Sequence, residues 1–351
     1  MFASLSLPLL ILIFVAGAVV VWFAGVQLSR TTDIMDDRFH LGQALGGLIF
    51  LSIATNLPEL AIVGSASLTH QVGIAIGNIL GGIAIQTVVL VILDGFGLRG
   101  KDTLTNKAAS LTLVLEGVVL ISVLVVSIMG TQLPKSAILF SRLAPGDLLI
   151  AALWLVGLWL VNKARADLPW QRKDNDTDNA PPPQDDSQKK AEQWNTTRVL
   201  LVFAIAALAT LLAGVMLEES GNVIADHIGL SGVLFGSTVL AAATSLPEVV
   251  TGLASVKLGD YDLAFSDIFG GNTFLPVLFL LATVLSGQSV LPQAKNTDIY
   301  LASLGGLLTA VYLCGLLFRP KKQFLNLGID SIVVLVLYIV GIGGLFLIAQ
   351  K

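Results

Sequence analysis

Ten apolar stretches, each near the length a helix needs to cross a bilayer, recur along this chain: 5–28, 42–68, 72–94, 108–130, 146–163, 198–217, 232–256, 263–286, 298–318 and 328–349. About 20 residues at ~1.5 Å rise per residue cover the ~30 Å of hydrocarbon. Lipid offers the backbone no hydrogen-bond partner, so such segments must satisfy their own N–H and C=O groups as helices. The balance of 55% hydrophobic to 13% charged residues excludes an ordinary soluble domain. The expected fold class is an all-α polytopic membrane protein with ten transmembrane helices. The first stretch is too long for a cleaved signal peptide and has no basic residue ahead of it, so it is expected to be retained.

Basic residues set the orientation, because Lys and Arg accumulate in cytoplasmic loops. With the N-terminus outside, only Lys135, Arg142, Lys295 and Lys351 of the 20 Lys and Arg fall outside. Both termini are therefore expected outside. Compact loops and the lack of a targeting segment favour a prokaryotic inner membrane. The single cysteine, Cys314, offers neither a disulfide framework nor a thiol cluster.

Residues 165–197 break the apolar pattern with a polar run containing a triple proline, which reads as a flexible cytoplasmic linker. It separates a first five-helix repeat, 1–164, from a second, 198–351. Five helices on each side force the two halves to enter the membrane in opposite directions, the arrangement of inverted-topology repeats. Sliding residue n onto n+189 tests this, and over residues 41–90 it gives 14 identities in 50 positions. Ala54, Thr55, Leu57, Pro58 and Glu59 meet Ala243, Thr244, Leu246, Pro247 and Glu248. Ile79, Gly81 and Gly82 meet Ile268, Gly270 and Gly271. Duplication explains this better than chance.

The duplicated motif places a carboxylate inside each membrane segment, where a charge is penalised by at least ~3 kcal/mol and is by default functional. Pro58 and Pro247 each remove one backbone donor, freeing the carbonyls of Ala54 and Ala243. One proline alone is as readily a simple kink, but two at related positions, each beside a glutamate, favour a site. Thr55, Asn56 and Glu59 surround the first break, and Thr244, Ser245 and Glu248 the second. Carboxylates, hydroxyls and carbonyls without nitrogen or sulfur ligands suit a hard cation such as Na⁺ or Ca²⁺. The glycines of "GNILGG" and "SDIFGG", Gly81, Gly82, Gly270 and Gly271, also read as close helix packing.

The "TNLPE" of 55–59 and "TSLPE" of 244–248 resemble the alpha repeats of the sodium/calcium exchanger family, in the calcium/cation antiporter superfamily. The resemblance implies two inverted sets of five helices, with Glu59 and Glu248 as central carboxylates shared by competing ions. Thr55, Asn56, Thr244, Ser245 and the carbonyls of Ala54 and Ala243 would add oxygens. It also implies that the second, third, seventh and eighth helices hold the ions while the first and sixth move across them. The family's second motif, Gly-Asn-x-x-Gly-Ser-Asn with Asn or Asp three residues on, becomes "GNILGGIAIQ" and "SDIFGGNTFL". Gly82 and Gly271 replace serines, Gln86 replaces the first final ligand and Leu275 the second.

Positions 267, 271 and 275 lie along one helical face, and Asp267, one turn or ~6 Å before the vacant ligand position, is expected to supply directly or through water the acidity lost at Leu275. Capping of a neighbouring helix break is the competing role. Asn78 is its repeat partner and a further candidate ligand. Glu116 reads as an interior hydrogen-bonding group, Asp94, Asp147 and Asp330 as solvated helix ends, and Glu218, Glu219 and Asp226 as an outside acidic loop with His70 and His227 in outside loops. No P-loop, HExxH helix or nucleophile constellation supports an enzyme.

The expectation is a secondary antiporter exchanging Ca²⁺, or a related divalent cation, for Na⁺ by alternating access. It needs no enzyme chemistry, cofactor or nucleic acid; its partners are inorganic cations and the lipid bilayer. A proton-coupled exchanger of altered selectivity is the alternative, and a non-transporting ion sensor or a channel the alternative of another class.

Overall fold

The computed structural model describes residues 2, 4–39, 51–98, 102–108, 110–134, 136–139, 143–167 and 194–349. The linker expected at 165–197 thus lies mostly outside the described residues. Helix runs on to Asp167 before it and resumes at Thr196 after it.

In the first half, α1 spans Leu7–Phe39, α2 Leu51–Thr55, α3 Leu57–Leu68, α4 Val72–Gly97, the short α5 Leu104–Lys107, α6 Leu111–Thr131 and α7 Pro145–Asp167. In the second half, α8 spans Thr196–Ile228, α9 Gly232–Thr244, α10 Leu246–Leu258, α11 Tyr261–Ser286, α12 Asn296–Phe318 and α13 Ile329–Ala349. Among the described residues, eight helices are long and apolar enough to cross a membrane alone, and α9 with α10 forms a ninth span bent by 41°. The pair α2 and α3 matches that bent span, but residues 42–50 of its expected range lie outside the described residues.

The duplication is written into the helix ends. The starts of α1, α3 and α4, at Leu7, Leu57 and Val72, are matched 189 residues on by Thr196, Leu246 and Tyr261. The longest pair, α1 and α8, pack along each other, each 33 residues or ~50 Å. Since ~30 Å of hydrocarbon needs only ~20 residues, they must tilt or extend beyond it. Their polar last turns continue the helix past the apolar stretches, so Glu218, Glu219, Asp226 and His227 lie in α8 and not in a loop.

Each half packs against the break of the other. A Cβ on Gly25 of α1 would fall 2.6 Å from Pro247 Cβ, and one on Gly214 of α8 would fall 2.7 Å from Ala61 Cβ and 2.8 Å from the Pro58 carbonyl. Gly25 and Gly214 are themselves 189 residues apart, as are Pro58 and Pro247. The motif glycines do the same. Gly77 and Gly81 of α4 face the backbone of Val233 and Ser237 in α9, while Gly270 and Gly271 of α11 face Ser52 and Asn56 at the first break. Side chains at these positions would hold the helices apart, and small residues are what allow such approach in lipid. A π-helical turn, Gly236–Leu240, lies in α9 just ahead of its break, opposite α4.

The helix-end acids are not solvated. Asp94 is buried and accepts from the Leu104 N–H at 2.8 Å and the Gly328 N–H at 2.6 Å, tying the α5 turn and a small hairpin to the end of α4. That hairpin pairs Gln323 with Gly328 and Phe324 with Leu327. Asp330 is buried with Oδ1 accepting from the Ser331 N–H at 3.0 Å, and buried Asp147 accepts from Thr283 Oγ1 at 2.8 Å. Backbone and hydroxyl donors replace the water that the sequence suggested. Glu116 does face the interior, where its Oε2 accepts from Ser266 Oγ at 2.8 Å.

Candidate cation site

The two breaks are single residues with the same backbone and the same side-chain logic. Asn56 (φ −85°, ψ 13°) and Ser245 (φ −78°, ψ 4°) each leave the helix for one residue, and the proline follows at the next helix's first turn. Proline has no N–H to continue the preceding ladder but fits a helix start. Asn56 Nδ2 donates to the Ser52 carbonyl at 2.6 Å, and Ser245 Oγ donates to the Ala241 carbonyl at 2.8 Å. Thr55 Oγ1 and Thr244 Oγ1 donate to the same two carbonyls, each at 3.2 Å. With their protons directed backwards, the hydroxyl lone pairs are left for another partner.

That partner region contains the carboxylates. Glu59 and Glu248 lie in the first turns of α3 and α10, where helix dipoles favour negative charge. Both are fully buried. Thr244 lies beside Glu59 and Thr55 beside Glu248, so each carboxylate is attended by the threonine of the other repeat. Glu59 and Asp267 both act on the charge of Glu248, and among the described residues no ion pair reaches any of the three. Burying such charge without a counter-charge is costly, so the group calls for a cation or for protons.

Among the described residues several buried polar atoms find no hydrogen-bond partner: Glu59 Oε2, both carboxylate oxygens of Glu248 and Gln86 Oε1 at the breaks, and both polar side-chain atoms of Asn78 in α4. Native interiors seldom leave such groups unpaired without a functional reason. Gln86 Nε2 donates to Glu59 Oε1 at 3.3 Å and to Asn56 Oδ1 at 3.4 Å. Asp267 Oδ2 accepts from Thr251 Oγ1 at 2.6 Å, and Oδ1 from Thr55 Oγ1 at 3.5 Å. Ala54 and Ala243 are buried beside the breaks, each four residues before its proline. Among the described residues no three His, Cys, Asp or Glu side chains converge tightly enough to cage a metal. A cation here would depend on neutral oxygens as well as carboxylates.

The glycine positions complete the geometry. A Cβ on Gly271 would come within 2.7 Å of Asn56 Nδ2 and 3.7 Å of Gln86 Oε1, and one on Gly82 within 3.3 Å of Leu275 Cδ1. These contacts exchange under the repeat, which carries 82 to 271 and 86 to 275. Leu275 is fully buried and occupies with carbon the place that Gln86 occupies with an amide.

Two residues were not singled out in the sequence. Asn272 Nδ2 donates to the Ile83 carbonyl and to Thr87 Oγ1, each at 3.3 Å, joining repeat-related positions of α11 and α4. Its signal was the asparagine retained in "GGN". Thr251 had a weaker signal, three residues after Glu248 and so on the same helical face.

A family model described as sodium/calcium exchanger protein matches residues 9–161 and 198–347. Inner membrane protein YrbG of Escherichia coli is 29% identical over 292 residues, covering 81% of this chain and 82% of that protein. The putative antiporter CaxA of Alkalimonas amylolytica is 26% identical, covering 83% of this chain and 85% of that one. Among solved structures, an H⁺/Ca²⁺ exchanger, CAX, superposes with a TM-score of 0.70 at 13% identity over 97% of this chain and 85% of that chain. The sodium-calcium exchanger NCX_Mj superposes with a TM-score of 0.61 at 16% identity over 96% of this chain and 99% of that chain. These superpositions speak for the fold.

Proposed function

We propose that this chain, which belongs to the sodium/calcium exchanger family of membrane cation antiporters, exchanges Ca²⁺ for Na⁺ by alternating access, the ions competing for Glu59 and Glu248. The observation that carries this reading is the burial of both carboxylates, with Glu59 Oε2 and both Glu248 oxygens unpartnered, at breaks contributed by opposite repeats. Two carboxylates neutralise one Ca²⁺. The same two accept monovalent ions instead, so one kind of ion must leave before the other binds, and that exclusion couples the fluxes without any covalent step. Thr55, Asn56, Thr244, Ser245, Gln86, Asn78 and the Ala54 and Ala243 carbonyls supply neutral oxygens around them.

Proton coupling is the second reading. It is favoured by Leu275, which withdraws one oxygen ligand from the second repeat, whereas a proton needs only a carboxylate. The named activities of the relatives and neighbours span both couplings. An inner membrane of a prokaryote is the proposed location, in line with the Escherichia coli relative. Both termini face outward and the 165–197 linker joins the two five-helix repeats on the cytoplasmic side.

The test is ⁴⁵Ca²⁺ uptake into proteoliposomes under an outward Na⁺ gradient, an outward H⁺ gradient, or neither. Uptake driven by Na⁺ supports the first reading and uptake driven by H⁺ the second. Calcium flux indifferent to every counter-ion gradient would be that of a channel, and no flux at all would remove calcium transport.

A further inference from the structure

We propose that Asp267, Thr251 and Thr55 form a second cation subsite beside Glu248, and that this subsite takes a monovalent inorganic cation, Na⁺ in the simplest case. The inference rests on the antiporter reading and adds to it a second place for the counter-ion, which shares Glu248 with the central site and so fills only once Ca²⁺ has left.

The repeat fails at three positions in this region. Carrying the first half onto the second by 189 residues puts Asn78 on Asp267, Ile62 on Thr251 and Gln86 on Leu275. The second half therefore loses an amide on α11 and gains an acid on α11 and a hydroxyl on α10. The gain does not fill the loss. Asp267 and Leu275 are eight residues apart, two turns or ~12 Å along the helix, and Leu275 is fully buried against Gly82. Asp267 instead places its charge with Glu248.

Its surroundings are built for a bound ion. Asp267 is buried, and Thr251 Oγ1 lies 2.6 Å from Asp267 Oδ2 but 3.2 Å from the Glu248 carbonyl, so its one proton goes to the carboxylate. The other carboxylate oxygen, Oδ1, has only the long 3.5 Å contact from Thr55, whose proton is better placed on the Ser52 carbonyl. Next to it, both oxygens of the buried Glu248 side chain have no partner. One carboxylate and two hydroxyls, with a second carboxylate shared with the central site, make an all-oxygen set of the kind hard cations take. Asn78, the counterpart in the first half, brings no charge. A second subsite of this kind therefore exists on one side of the pseudo-symmetric centre only.

The coupling ratio tests this directly. In proteoliposomes, the Na⁺ gradient that just balances a fixed Ca²⁺ gradient gives the number of Na⁺ exchanged per Ca²⁺. The expected result is continued Ca²⁺ transport in Asp267→Asn with one fewer Na⁺ per Ca²⁺, and in Thr251→Val an unchanged ratio with Na⁺ affinity lowered about tenfold. A merely structural Asp267 would change rate or yield and leave the ratio unaltered, and an unaltered ratio in Asp267→Asn overturns the proposal. Wild-type exchange driven by H⁺ and indifferent to Na⁺ overturns it as a Na⁺ site while leaving the antiporter reading intact. If the wild type moves no Ca²⁺ under any gradient, the antiporter reading fails and the subsite is judged by ²²Na⁺ binding to purified protein. Binding that Asp267→Asn abolishes supports it; equal binding, or none in the wild type, overturns it. Should Asp267→Asn fail to fold, Thr251→Val decides by the same binding measurement.

Discussion

Gln86 Nε2 lies 3.3 Å from Glu59 Oε1, whereas its repeat partner Leu275 has no donor to offer Glu248. The two central glutamates, related by duplication, are thus held differently. Glu59 is oriented by an amide, whereas among the described residues neither oxygen of Glu248 has a hydrogen-bond partner. Replacing Gln86 by Leu would make the first half imitate the second. The expected effect of Gln86→Leu is a roughly tenfold loss of Ca²⁺ affinity, about 1.4 kcal/mol, the size of one hydrogen bond to a charged group. Equilibrium titration of purified protein with ⁴⁵Ca²⁺ checks it, and unchanged affinity would mean that the amide plays no part in the site.

Close approach at the motif glycines gives a second prediction. A Cβ on Gly81 would fall inside the backbone of Ser237, and a Cβ on Gly343 would meet nothing within 4 Å. Gly81→Ala is expected to destabilise by about 1–3 kcal/mol through overpacking, and Gly343→Ala to be neutral or slightly stabilising. Gly271→Ala meets a movable side-chain end, Asn56 Nδ2, so its expected cost falls more on ion affinity than on folding. Thermal unfolding in detergent, with and without Ca²⁺, separates the two effects. Equal loss of stability in all three variants would contradict the packing account.

Asp94 supports the structure away from the site, because its two oxygens accept from two backbone N–H groups of distant segments. Asparagine keeps one acceptor and adds a donor, leaving a buried N–H unsatisfied at a cost of about 1–3 kcal/mol. Asp94→Asn should lower the unfolding midpoint and leave the Ca²⁺ affinity of the folded fraction unchanged. Lost affinity at normal stability would place Asp94 in the ion path.

Serine 65 makes a comparable test between α3 and α8. Ser65 Oγ donates to the buried Glu218 Oε2 at 2.8 Å. Ser65→Ala should therefore destabilise by about 1–3 kcal/mol, since it removes a donor from a buried carboxylate. Adding Glu218→Gln should recover part of that loss, and a double-mutant cycle measures the coupling. Strict additivity of the two substitutions would show that the contact contributes nothing.

Much of this architecture could be read from residues because lipid makes the reading simple: an apolar run of the right length has little choice but to be a helix. The same rule failed where helices leave the apolar region. The stretches ended near 28 and 217, yet α1 and α8 continue through polar residues to Phe39 and Ile228, since water does not stop a helix that is already nucleated. Asp94, Asp147 and Asp330 were misread for a related reason. Asp94 and Asp147 are met by N–H and hydroxyl groups of remote segments and Asp330 by the N–H of its neighbour Ser331, and none of these pairings has a sequence pattern. At the site, duplication pointed to the residues shared by the two halves, Glu59 with Glu248 and Thr55 with Thr244. It was blind to Thr251, whose importance depends on Asp267 in another helix and on a departure from the repeat.

Whether Glu59 and Glu248 form one site shared by competing ions is decided by equilibrium ⁴⁵Ca²⁺ binding to purified wild-type, Glu59→Gln and Glu248→Gln protein, each titrated with Na⁺ and with H⁺. A shared site binds one Ca²⁺ per wild-type chain, displaced by one of these counter-ions, and binds it at least about a hundredfold more weakly in either variant. Calcium bound with near wild-type affinity by either variant, or bound together with saturating counter-ion, would contradict it.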